Sequence, residues 1–373
     1  MRWLLLVLLA GCATKSRPLE DRAHEQATQV RDDRALRALV EGAQQLARGT
    51  PKSLARAKEQ LTQALELSPD LWEAHYDLGL TERRLGALDR ARPPLEKAHQ
   101  LAPDAVEPLF ALADVSVALN DRDAAARYLE QYLTLQPANI DAKLALAAVE
   151  RERGKLDRAL SLAREVLIKD PRAIEALLEV GRIYRTREEY EVAELVLEKA
   201  RALAEGSALV FNELGLLALA RGDTQLAFTH FGKAEQLDPH FLAAHLNQGS
   251  VLLRAGDYEG AERAYKAAVH EKEDPALASL HEHALIGLGI AQRGQGKYRE
   301  ARATYEKVLD AHPSQLAALY DLAVLLADFM DQRKAALPLF ERYLTTAPNS
   351  DSHRASAERY VQDIRMATGS TTP

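Results

Sequence analysis

Histidine, cysteine and glycine-rich turns are the features of this chain with scope for chemistry. His281 and His283 could bind a metal together, with His240 and His245 nearby in sequence. A zinc site needs a third ligand at helical spacing, and none accompanies them, so they read as surface histidines. Gly294-Gln-Gly-Lys297 has part of a phosphate-cradling loop. It lacks the upstream glycine and is followed by Tyr298 where Ser or Thr is needed, so it reads as a turn. There is no G-x-S-x-G elbow and no H-E-x-x-H helix. Acidic residues are plentiful, but they fall as helical-spacing neighbours of Arg and Lys, the pattern of solvated faces. The chain therefore reads as a non-enzyme with no cofactor, no metal and no small-molecule substrate. Its one cysteine, Cys12, excludes an intramolecular disulfide and a Cys-based zinc cluster.

The surroundings of Cys12 suggest an address rather than a catalyst. Arg2 precedes an apolar run from Trp3 to Ala10. That run is too short for a bilayer-spanning helix, which needs about 20 residues, and it fits the apolar region of a signal peptide. Leu9-Ala10-Gly11-Cys12 follows and resembles the bacterial lipobox. The resemblance implies cleavage of residues 1–11 and lipidation of Cys12. Several acyl chains together would anchor the protein persistently, since each buried CH₂ contributes about 0.8 kcal/mol. Ala13 follows the cysteine instead of the aspartate that marks inner-membrane retention in well-known bacteria. That resemblance favours the outer membrane, with the chain facing the periplasm and residues 12–33 forming a polar tether.

The rest of the chain is organised by a period. It has 373 residues, with 48 Lys plus Arg against 55 Asp plus Glu, a formal net charge of −7. That balance argues against nucleic-acid binding through a basic surface. Hydrophobic residues make up 47% and aromatics only 6%, which suits close helix packing better than a β-sandwich. Pro69, Pro103, Pro137 and Pro171 recur 34 residues apart. Small residues keep the same register at Gly79, Ala113, Ala147, Gly181, Gly215 and Gly249. Twelve residues after each stands Ala91, Ala125, Ala159, Ala193, Ala227 or Ala261. Gly289, Ala301 and Pro313 resume the spacing after a six-residue offset. Ala323, Ala336 and Pro348 follow with one extra residue. Phe211, Leu214, Gly215, Gly222, Ala227, Phe231, Ala234 and Pro239 make the fullest copy.

This pattern resembles the tetratricopeptide (TPR) repeat, and it covers about residues 34–350 in nine copies. The resemblance implies an all-α fold, a TPR α-solenoid wound as a right-handed superhelix of helix-turn-helix units. Residues 351–373 would supply a capping helix with a disordered tail. In each unit, helix A should end near a glycine able to adopt the left-handed conformation: Gly49, Gly86, Gly154, Gly222, Gly256 or Gly296. Glycines inside helix A each cost about 1 kcal/mol relative to alanine, so close packing must offset them. They are expected to meet the alanines of helix B where the two axes approach. Pro93 and Pro94 should delay or bend the start of their helix.

In TPR proteins, helix A positions 2, 5, 9, 12 and 13 line a concave groove. Here the groove turns apolar from repeat 6, with Leu216, Leu219, Leu246, Leu253, Ile286 and Ile290, and with Asn212 and Asn247 between them. The plainer alternative is that these leucines pack helix A against its neighbours. The groove reading implies a protein-protein interaction scaffold. Long lipoproteins of this kind resemble the gliding-motility TPR lipoproteins of social soil bacteria, which serve an envelope-spanning machine. The alternatives are a pilotin-like assembly factor for a type IV pilus secretin and a regulator of periplasmic cell-wall synthases. On each reading the partners are proteins of an envelope complex, with the membrane engaged through the lipid.

Overall fold

A computed structural model describes residues 19–270 and 278–368. Cys12, residues 1–11 read as a signal peptide, the start of the stretch read as a tether, residues 271–277 and residues 369–373 lie outside the described residues. The chain divides into two compact units, residues 1–137 and 138–373. All regular structure among the described residues is helical. The first unit holds α1 (Leu19–Arg48), α2 (Pro51–Leu67), α3 (Trp72–Arg84), α4 (Leu88–Leu101), α5 (Glu107–Ala118) and α6 (Arg122–Leu135).

The second unit continues the alternation. Its helices begin with α7 (Ile140–Glu152), α8 (Leu156–Lys169), α9 (Ile174–Thr186), α10 (Tyr190–Leu203), α11 (Ala208–Ala220) and α12 (Thr224–Leu237). Then come α13 (Leu242–Arg254), α14 (Tyr258–His270), α15 (Ala278–Gly294), α16 (Tyr298–Ala311), α17 (Leu316–Val324) and α18 (Arg333–Thr346). The last helix, α19 (Arg354–Thr368), covers the end of the array, burying Ala357, Val361 and Ile364. Tyr360 stacks on Phe340 with ring centroids 4.6 Å apart. Nine helix pairs and a cap thus follow the nine copies read from the sequence, as a TPR α-solenoid requires.

Left-handed residues close helix A in every repeat. Gly49, Gly86, Gly154, Gly222, Gly256 and Gly296 all have positive φ. The three repeats that lack the glycine use Asn120, Glu188 and Asp331 instead, at φ 61, 62 and 52. The capping bonds at Glu188 match those at Gly86. Gly86 N–H donates to the Arg83 carbonyl at 2.9 Å and Ala87 N–H to the Glu82 carbonyl at 2.9 Å. Glu188 N–H donates to Arg185 at 3.1 Å and Glu189 N–H to Tyr184 at 3.0 Å. Helix starts are set by side-chain caps where the sequence supplies them. The Thr50 hydroxyl accepts from Ser53 N–H, and the Asp223 carboxylate accepts from Leu226 N–H.

Packing refines the expected role of the helix A glycines. A Cβ on Gly215 would lie 2.5 Å from the Phe231 ring, and one on Gly181 would lie 2.6 Å from Leu197. The residue facing each glycine is therefore the large one a turn beyond the helix B alanine, while Ala193 and Ala227 are themselves fully buried. Pro93 and Pro94 do not delay α4. It starts at Leu88, in register with α6 and α8, and both prolines lie inside it. Their missing donors forfeit only the bonds to the Asp89 and Arg90 carbonyls near the helix start. The extra residue in the last repeat becomes a π-helical turn, Leu325–Phe329, rather than a longer loop. The final four residues of the offset between repeats 7 and 8 join helix α15, whose sisters begin four positions later in register.

Candidate functional site

The groove-forming face belongs to the A helices, and in the second unit these are the odd-numbered helices α7 to α17. Leu216 and Leu219 of α11 are half-buried and rest on Ala218, Ala227, Phe231 and Val251. Leu246 and Leu253 of α13 are also half-buried and pack around Leu242, Ala261 and Tyr265. Ile286 of α15 is buried, whereas Ile290 is half-buried, and both meet Val308 and Ala318. The eight sequence-derived residues thus fall on three successive A helices, and the six apolar ones join three separate apolar clusters. Across α11 and α13, Asn247 Nδ2 donates to Asn212 Oδ1 at 2.8 Å. Asn212 is buried, so its amide oxygen is engaged inside the fold.

A second constellation escaped the sequence reading, which placed the acids on solvated faces. Glu82, Glu150, Glu179, Glu213 and Glu262 are all buried. Their burial is tolerable because each is paired. On α7, α9 and α11 the pairs run as a ladder. Arg151 Nε donates to Glu179 Oε1 at 2.8 Å, and Arg182 Nε donates to Glu213 Oε1 at 2.9 Å. Arg182 also lies 3.4 Å from Glu179 Oε2, and Arg185 lies 3.6 Å from Glu213 Oε2. Burial lowers the pKa of Arg185, an effect the Glu213 charge only partly offsets. The signal was present in register: Glu179 and Glu213 stand 34 residues apart, as do Arg151 and Arg185.

Gly294 to Lys297 is a helix-closing turn, with Gly296 at positive φ and Lys297 Nζ donating to Glu262 at 2.7 Å. Burial alone would raise the Glu262 carboxyl, but hydrogen bonds from Lys266, Lys297 and Gln295 hold it down to about 2. His281 is buried while His283 is exposed. Residues two apart on a helix point about 200° apart, and no group of three or more His, Cys, Asp or Glu among the described residues is placed to hold a metal. No described helix is long and apolar enough to cross a membrane.

Comparisons with known proteins agree with this architecture. One tetratricopeptide-repeat family model matches residues 53–106, 110–173, 144–208 and 286–351, and a second matches 218–284. Neither is a model of a catalytic family. Among solved structures, the chain is similar to the human IFIT1 dimer with PPP-AAAA, at 18% identity and a TM-score of 0.53. That match covers 86% of this chain and 80% of the other. Yeast Tom70 is similar at 14% identity and a TM-score of 0.50, with 94% of both chains covered. The Cut9 complex with Hcn1 is similar at 15% identity and a TM-score of 0.50, covering 83% of this chain and 73% of that one. At these identities the likeness concerns the fold. Nine in-register helix pairs, left-handed residues at every inner turn and family models spanning most of the repeats lead to one conclusion: the chain belongs to the tetratricopeptide-repeat family.

Proposed function

We propose that this protein is a lipid-anchored scaffold that holds partner proteins on the A-helix face of its repeats. The supporting observation is that Leu216, Leu219, Leu253 and Ile290, on three successive A helices, keep part of their apolar surface in water. Apolar surface arranged in this way, with polar neighbours, marks interaction sites. Such a face accepts either an extended segment or the apolar side of a helix. The anchor reading rests on Leu9-Ala10-Gly11-Cys12. With Ala13 after the cysteine, the resemblance favours the outer membrane with the chain facing the periplasm, and the resemblance to gliding-motility lipoproteins favours an envelope-spanning motility machine.

Replacing both Leu219 and Leu253 with Ser tests the face. Partner capture should fall about ten-fold or more with little change in melting temperature. A large melting loss would mean that these leucines serve the core, and the groove reading would fail. Cys12→Ala should release the protein from membranes without altering the repeats. Recovery of the unmodified protein in a detergent-free soluble fraction would overturn the anchor.

A further inference from the structure

The first unit carries a different kind of cleft on its own A helices, with a volume of about 450 Å³. That lies within the usual range for ligand sites, about 300–1,000 Å³. Three aromatic rings wall it: Tyr76 from α3, Phe110 from α5 and Tyr132 from α6. Phe110 and Tyr132 meet edge to face with ring centroids 5.6 Å apart. Phe110 keeps 38% of its surface exposed.

The rim is acidic. Asp114 is neutralised by its ion pair with Arg83, both of which line the cleft. Glu107 is exposed and forms no ion pair with another described residue. Asp77 and Glu107 both lie close enough to act on the Tyr76 hydroxyl, alongside the larger effect of burial. Asp77 in turn feels Glu73, with Arg84 as the opposing charge. Among the residues lining the cleft, Glu107 is thus the carboxylate that no ion pair offsets.

We propose that this cleft binds an arginine side chain presented by a partner protein. A planar guanidinium can lie on the exposed Phe110 face while its N–H fork meets the Glu107 carboxylate. An acidic side chain would meet uncompensated negative charge, and a purely apolar one would leave Glu107 without a partner. The proposal rests on the protein-binding reading but concerns repeats 2 and 3, so its failure leaves the test of repeats 6 to 8 standing.

The test uses the purified full-length chain and a short Gly-Ser peptide with one central arginine. The comparison peptide carries citrulline, which has the same shape without the charge. Trp72 reports the binding by fluorescence, since its ring lies 6.4 Å from Tyr76. The arginine peptide should bind about five-fold or more tightly than the citrulline peptide. Glu107→Gln should erase most of that preference while the melt stays unchanged, because the side chain is exposed. Phe110→Ala should weaken the arginine peptide by a similar factor. If Phe110→Ala lowers the melt, Glu107→Gln alone carries the test. Equal binding of both peptides, no saturable signal, or a Glu107→Gln variant with undiminished preference would overturn the proposal.

Discussion

Gly215 and Gly232 sit in the two helices of one repeat, yet their replacement by alanine should act with opposite sign. By helix propensity alone, either change should stabilise by about 1 kcal/mol. At Gly232 the new methyl meets only the Gln248 amide nitrogen, 3.7 Å away, which is ordinary contact. Gly232→Ala should therefore gain about 0.5–1 kcal/mol. At Gly215 the methyl would lie 2.5, 2.7 and 2.9 Å from three atoms of the Phe231 ring. Comfortable carbon contacts begin at about 3.5 Å. Phe231 is fully buried and has no free volume to retreat into. Overpacking of this kind costs about 1–3 kcal/mol. After the propensity gain of about 1 kcal/mol, Gly215→Ala should destabilise by up to about 2 kcal/mol. Urea unfolding followed by circular dichroism would give the midpoint shifts. Hydrogen exchange of the α11 and α12 amides would localise them, since stability in repeat arrays is largely a nearest-neighbour property. If Gly215→Ala raised the midpoint as much as Gly232→Ala, the close approach of α11 and α12 would be refuted.

Three further changes test other parts of the fold. Glu188 occupies a left-handed turn at φ 62, so Glu188→Gly should stabilise by about 0.5–1 kcal/mol. Gly222→Ala, at φ 83 with open space around it, should cost about 1 kcal/mol; equal thermal melts would contradict the turn assignment. Burial, followed by the charge of Glu73, pushes the Asp77 carboxyl up to about 6. The folded chain then binds this proton more tightly than the unfolded one, whose aspartate titrates near 4. Stability from this group should accordingly rise as pH falls from about 7 to 4, and Asp77→Asn should flatten that part of the profile. A midpoint profile unchanged by Asp77→Asn would refute it.

Much of the fold was legible because TPR geometry is local and repeated. Each copy places a glycine at the inner turn, an alanine in helix B and a proline after it, and the 34-residue spacing stacks successive copies alike. Six turn glycines could be named in advance because left-handed backbone favours glycine so strongly. The same logic failed at Asn120, Glu188 and Asp331, where a non-glycine residue adopts that conformation. The arginine–glutamate ladder was not legible by helical spacing, since Arg182 and Glu213 stand 31 residues apart on different helices. Whether a glutamate faces water or a neighbouring helix depends on how two repeats dock. The extra residue near Ala323 was visible as a number, but only packing around Leu325 and Leu326, both buried, makes it a π turn. The sequence by itself determined the period, the helix pairs and their closing turns, because these depend on residues close along the chain. Which charges became buried partners, and which aromatic rings stayed open beside Glu107, was decided by tertiary structure, because burial and pairing depend on the faces that distant helices bring together.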